Sequence, residues 1–240
     1  MRKHIPNTLT CCNLISGCIA VTFALAQMPQ LALCFIIVGA IFDFFDGFAA
    51  RLLGVSSPVG AELDSLSDVV TYGVAPSAMV FVLIARLLPA ALPETMMGLQ
   101  TYLPFVAFVM AAFSALRLAK FNLDTRQKGV FLGLPTPANA LLWAGVVVGV
   151  WGQQFAAMYG LIAIGVGLLA CCWLLVSDVP MLALKFKHFG WKGNAFRYVF
   201  LLLSLVVLVA VGHLALACAL IVVLYISLSL LMWALHIDIR

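Results

Sequence analysis

Apolar residues in this chain come in long, nearly unbroken runs rather than as one face of a helix or as strand-like alternation. A helix needs about 20 mostly apolar residues to cross the hydrocarbon core of a bilayer. Eight segments qualify, at roughly 8–26, 31–53, 62–87, 101–121, 137–155, 159–177, 197–212 and 214–235. Only a short break at Gly212 and His213 divides the last two. The second to fourth runs carry polar residues at their ends. This pattern predicts an all-α, polytopic transmembrane bundle of about eight spans, forming one domain over residues 1–240.

Composition supports the membrane class. The 240 residues are 65% hydrophobic and 9% charged, against roughly 25% charged in a soluble domain. The net charge of +4 is spread between apolar runs and forms no dense patch, which argues against nucleic acid. With a cytoplasmic N-terminus, Arg2, Lys3, Arg51, Arg117, Lys120, Arg126, Lys128, Lys185, Lys187, Lys192, Arg197 and Arg240 all fall inside, and only Arg86 outside. The positive-inside rule therefore predicts both termini, and the polar connections, on the cytoplasmic side. Met1-Arg2-Lys3-His4 and the run that follows read as a retained first span, not a cleaved signal. The seven cysteines sit in or beside apolar runs without zinc-site spacing and read as small buried hydrophobes.

The acids are concentrated. Of nine acidic residues, Asp43, Asp46, Glu62, Asp64 and Asp68 lie within 26 positions. Asp43 and Asp46 are three apart and Asp64 and Asp68 four apart, so each pair shares a helix face. The first pair closes the second span and the second pair opens the third. Two adjacent antiparallel helices would set four carboxylates at one depth. Charges held so close must protonate, find cations or bind metal. Without His or Cys in the cluster, a hard divalent ion fits best, Mg²⁺ or Mn²⁺, and two ions sharing aspartates would suit phosphoryl transfer. A cation-transport pathway or a buried ion-pair cluster would use the same residues.

The segment Asp43-Phe44-Phe45-Asp46-Gly47-Phe48-Ala49-Ala50-Arg51, then Gly60, Asp64 and Asp68, resembles the signature of the CDP-alcohol phosphatidyltransferase family. Eight fixed positions over 26 residues make a specific match. The resemblance implies that Asp43, Asp46 and Asp64 ligate the metals, with Asp68 both a further ligand and the general base. It implies that Gly47, Ala50, Arg51 and Gly60 border the CDP group, and it suggests a homodimer.

Three further segments resemble the serine-accepting branch of that family: Pro6 to Leu14, Arg117 to Asn122, and Gly133 to Asn139. Lys120 stands where an arginine is more usual. On this basis Asn7 and Thr10 are expected in the CDP pocket. Arg117, Lys120, Asn122 and Thr136 are expected near the acceptor, with Arg117 paired to a carboxylate. The substrates implied are CDP-diacylglycerol and L-serine, at the cytoplasmic face of a bacterial plasma membrane. Lys185, Lys187, His188 and Lys192 are expected on anionic lipid headgroups. The same chemistry with glycerol 3-phosphate or inositol phosphate would call for a denser basic pocket. A transporter would leave the Gly-Ala-Arg-Gly spacing unexplained and shows no inverted repeat.

Overall fold

The structure is a computed structural model that describes residues 4–55, 57–123, 131–182, 190 and 194–235. Helix α1 (His4–Leu25) is followed by α2 (Pro29–Leu53), which begins with proline where a missing N–H costs nothing. Gly54 ends α2 in the left-handed region at φ 61°, and the Gly54 and Val55 amides close back on the Arg51 and Ala50 carbonyls. Ser57 then caps α3 (Pro58–Asp68), its Oγ accepting the Gly60 amide at 3.0 Å. A glycine stop, a serine start and a proline at the first helical position thus reverse the chain within a few residues.

Helix α3 does not stop at Asp68. It runs through a π-helical turn (Val69–Val74) into α4 (Ala75–Ala91), making one apolar segment of 34 residues. The fourth span opens with a 3₁₀ turn (Glu94–Met96), a short α5 (Met97–Tyr102) and a second 3₁₀ stretch (Leu103–Phe108) before α6 (Val109–Leu123). Pro104, with no N–H to donate, lies at the start of that second stretch. The remaining helices are α7 (Thr136–Val150), α8 (Ala157–Val176), α9 (Ala195–Val211) and α10 (Leu214–Ala234).

Each expected apolar run is therefore helical. Among the described residues, six helical segments are long and apolar enough to cross a membrane, while α7 and α9 are shorter apolar helices. The chain is an integral membrane protein with an all-α fold. One unforeseen feature is a two-residue antiparallel ribbon, β1 (Phe131–Leu132) with β2 (Pro180–Met181). It ties the approach to α7 onto the exit from α8. Gly133 beside it has φ 74°, and a Cβ there would lie within 3.0 Å of the carbonyl oxygens of Leu174, Leu175 and Ser177.

The helices meet through small residues, as lipid-embedded helices do. The main core gathers Ala20, Ile36, Met79, Leu83, Met110, Trp143 and Val147 from α1, α2, α4, α6 and α7. A second cluster joins Leu134, Leu175, Met181, Phe200, Tyr225 and Met232. One expectation needs correction. Helices α2 and α3 pack chiefly against α1 rather than against each other. The two acid-bearing helices are the walls of a cleft, and α1 is its floor.

Helices α7 and α10 approach so closely at Gly145 that a Cβ would strike the Ala215 carbonyl oxygen and lie 3.1 Å from the Ala219 nitrogen. Around Gly165 on α8 there is open space. Gly145→Ala should therefore cost about 1–3 kcal/mol through overpacking. Gly165→Ala should be neutral or stabilise by up to about 1 kcal/mol. Thermal unfolding of the detergent-solubilised proteins checks both.

Candidate active site

Asp43 from α2 and Asp64 and Asp68 from α3 each bring one carboxylate oxygen to within 4.8 Å of the other two. Two ligands of one Mg²⁺, Mn²⁺ or Ca²⁺, each at about 2.0–2.6 Å from the ion, can be no more than about 5 Å apart. The observed spacing satisfies that limit. Asp64 Oδ1 is buried yet accepts no hydrogen bond, a costly state for a carboxylate oxygen without a cation. Among the described residues, no lysine or arginine forms an ion pair with any of the four aspartates. An all-oxygen set with an orphaned buried oxygen and, among the described residues, no ion-paired base fits a hard divalent cation.

The aspartates are held by α1 and by the turn after α3. Asp46, 7% exposed, is set beside the trio rather than within it, because its Oδ2 accepts a hydrogen bond from Thr10 Oγ1 at 2.6 Å. Tyr72 donates its hydroxyl to Asp43 Oδ2 at 3.0 Å. Asn13 donates from Nδ2 to Asp68 Oδ1 at 3.3 Å. Ser67 donates to the Thr10 carbonyl at 3.1 Å, joining α3 to α1 directly.

A cavity of about 210 Å³ opens beside this cluster. Its floor is Pro6, Asn7 and Thr10 of α1. One wall is Asp46, Gly47 and Ala50 of α2, and the other is Gly60, Ala61 and Asp64 of α3, with Val55 and Ser57 at the turn. A Cβ on Gly60 would crowd Asn7 Oδ1 at 3.1 Å and Ser57 Oγ at 3.0 Å. Asn7, Thr10, Gly47, Ala50 and Gly60 thus share one space with two of the aspartates. Arg51 does not line it. Its exposed side chain stands beside Gly47, with Nη1 3.7 Å from where a Cβ would be.

The residues expected near the acceptor separate into two groups. Arg117 of α6 is buried, donates from Nη1 to Thr136 Oγ1 at 3.4 Å, and leaves Nε without a partner. Its helix packs against the π turn that follows Asp68. Lys120, one turn further on, is engaged elsewhere, donating at 2.9 Å to the Val176 carbonyl and to Asp178 Oδ1. There it caps the end of α8. Asn122 donates to Ser65 Oγ at 2.9 Å and fastens α6 to α3 beside Asp64. The basic cluster Lys185, Lys187, His188 and Lys192 lies outside the described residues.

Asn13, Thr71, Tyr72 and Ser57 were not expected in these positions. Asn13 had a readable signal, since Asn7, Thr10 and Asn13 recur every three residues along one face of an otherwise apolar helix. Thr71 and Tyr72 had none, because they look like ordinary residues of a hydrophobic span.

Asp64→Asn should weaken Mn²⁺ binding by about tenfold or more, since one charged oxygen of a hard-ion site becomes a neutral amide. Titration of the purified protein followed by the Mn²⁺ electron paramagnetic resonance signal measures it. Glu62→Gln, outside the trio, should leave the affinity within about twofold.

The family model for CDP-alcohol phosphatidyltransferases matches residues 3–176. Among similar proteins, the CDP-diacylglycerol–serine O-phosphatidyltransferase of Bacillus subtilis is 33% identical over 191 residues, covering 78% of this chain and 92% of the relative. The protein of the same name from Methanocaldococcus jannaschii is 31% identical over 225 residues, covering 92% of this chain and 91% of the relative. The one from Mycobacterium leprae is 32% identical over 74% of this chain but only 57% of its own length. The matched region runs from the floor of the cleft to the end of α8 and contains Asp43, Asp46, Asp64, Asp68 and every cavity residue described above. This chain belongs to the CDP-alcohol phosphatidyltransferase family.

Proposed function

We propose that this protein transfers the phosphatidyl group of CDP-diacylglycerol to the hydroxyl of L-serine, giving phosphatidylserine and CMP. The observation that carries the reading is the adjacency of a cavity lined by small residues, with Asn7 and Thr10 in its floor, and a three-carboxylate cluster between the same two helices. The names of the relatives from Bacillus subtilis and Methanocaldococcus jannaschii point to the same reaction.

In this reading the CDP group occupies the cavity, where Gly47, Ala50 and Gly60 leave room and Asn7 and Thr10 offer polar contacts. Arg51 at the rim faces the phosphates. Asp43, Asp64 and Asp68, with Asp46 beside them, offer enough oxygens for two divalent ions. When bound, such ions neutralise the pyrophosphate and the charge that develops on the leaving group. Asp68 accepts the proton of the serine hydroxyl as its oxygen attacks the phosphatidyl phosphorus, and the bond from that phosphorus to the CMP oxygen breaks. Arg117, buried and with Nε unpaired, receives the serine carboxylate beside Thr136. The acyl chains remain in lipid, and the site opens to the cytoplasm with both termini on that side.

The acceptor side favours a small zwitterion. Of the cations expected there, Arg117 is buried beside Thr136, while Lys120 is engaged with Asp178. Glycerol 3-phosphate and inositol phosphate carry a phosphate that would ask for more positive charge. A cation pathway gains no support from the family match.

The test offers serine, glycerol 3-phosphate and inositol phosphate in parallel to the purified protein with CDP-diacylglycerol and Mn²⁺ or Mg²⁺. Serine alone should be incorporated, with CMP released. Incorporation of another acceptor without serine would refute the head-group assignment. Asp68→Asn should lower kcat by about 10²–10⁴-fold, the contribution of a positioned base, while CDP-diacylglycerol binding persists. Near-full activity in that variant would exclude Asp68 as the base.

A further inference from the structure

The π-helical turn that follows Asp68 places Thr71 deep between α1 and α2. Thr71 is fully buried, and so is Asn13. Two glycines make room for the threonine. A Cβ on Gly17 would strike Thr71 Oγ1, and one on Gly39 would lie 2.7 Å from Thr71 Cγ2 and 2.9 Å from Asn13 Oδ1. Thr71 Oγ1 donates to Asn13 Oδ1 at 2.8 Å, with the Asn13 backbone carbonyl at 3.1 Å.

The chemistry of the three groups fixes the direction of this relay. An ionised Asp68 can only accept, so it requires the NH₂ side of the Asn13 amide. The amide oxygen must then face Thr71, whose hydroxyl supplies a proton to it. Without that hydroxyl the buried amide oxygen loses its donor, and flipping the amide to escape this sets oxygen against oxygen at Asp68. The glycines, the π turn and the threonine converge on one outcome, a single amide orientation.

We propose that Asn13 is a positioning residue for Asp68, and that Thr71 sets its orientation. Asn13 touches no reacting atom. It keeps the Asp68 carboxylate turned toward Asp43 and Asp64, where it serves both the divalent ions and the acceptor proton. The inference rests on the reading of the cluster given above, but not on serine being the acceptor.

The test compares Thr71→Val, which keeps the shape and removes the hydroxyl, with Thr71→Ser, which keeps the hydroxyl. Mn²⁺ affinity is titrated without acceptor, and kcat and the KM for CDP-diacylglycerol are measured with serine. Thr71→Val should weaken Mn²⁺ binding several-fold and lower kcat about tenfold, the scale of a lost hydrogen bond to a charged group. KM should stay within about twofold, because neither residue lines the cavity. Thr71→Ser should restore both quantities. Asn13→Leu should reproduce the loss, and the double variant should be no worse than Asn13→Leu alone. The proposal is overturned if Thr71→Val matches the unsubstituted protein, if Thr71→Ser is as impaired as Thr71→Val, or if the two losses multiply in the double variant. Absence of serine transfer by the unsubstituted protein would remove the proposed acceptor, while the acceptor-free Mn²⁺ titration still decides the positioning role.

Discussion

Three carboxylate oxygens held within 4.8 Å of one another, at the ends of helices otherwise made of hydrocarbon, repel each other strongly. At about 4 Å and an effective dielectric constant near 20, each charged pair costs on the order of 4 kcal/mol. No lysine or arginine among the described residues forms an ion pair with them. The rest of the architecture follows from keeping these groups together. Helix α1 lies across the base of both acid-bearing helices, and its polar side chains reach into both walls. Thr10 holds Asp46, and Asn13 holds Asp68. Tyr72 reaches back from the third span to Asp43 on the second. A divalent cation, which the family's chemistry uses in general, would relieve this repulsion.

Splaying α2 and α3 over α1 has a second effect. Were the two helices packed side by side, their small residues would be used up in mutual contact. Because α1 forms the floor instead, Gly47, Ala50 and Gly60 line a cavity that adjoins the acids. Arg117 of α6 lies outside this cavity, buried against Thr136. Lys120 and Asn122 act as struts, one to the end of α8 and one to α3, and they stiffen the frame around Arg117.

Much of this was legible in the amino-acid sequence. The apolar runs marked each helix because span length is set by bilayer thickness. The aspartates stood out because charge in a span is rare, and their three- and four-residue spacing placed each pair on one helix face. What escaped reading depended on contacts distant along the chain. The contact of Lys120 with Asp178, 58 positions away, leaves no local signal. The role of α1 as a floor came from three-way packing that no local pattern encodes. The π turn was hidden because Val69–Val74 reads as plain hydrophobic helix.

That turn separates two demands that a single regular helix could not meet together. Before it, α3 must aim Asp64 and Asp68 at the cleft. After it, α4 must bury Met79, Val80 and Leu83 in the centre of the bundle. An α-helix advances about 100° per residue, so one face dictates the other along its whole length. The wider winding of the π turn resets the phase between the halves. Loss of a single residue there would restore regular winding and swing one half by roughly a quarter of a revolution relative to the other. Either the acids would leave the cleft or the core of the bundle would turn into lipid. Chain length in this stretch is therefore under tighter constraint than the identity of most of its side chains.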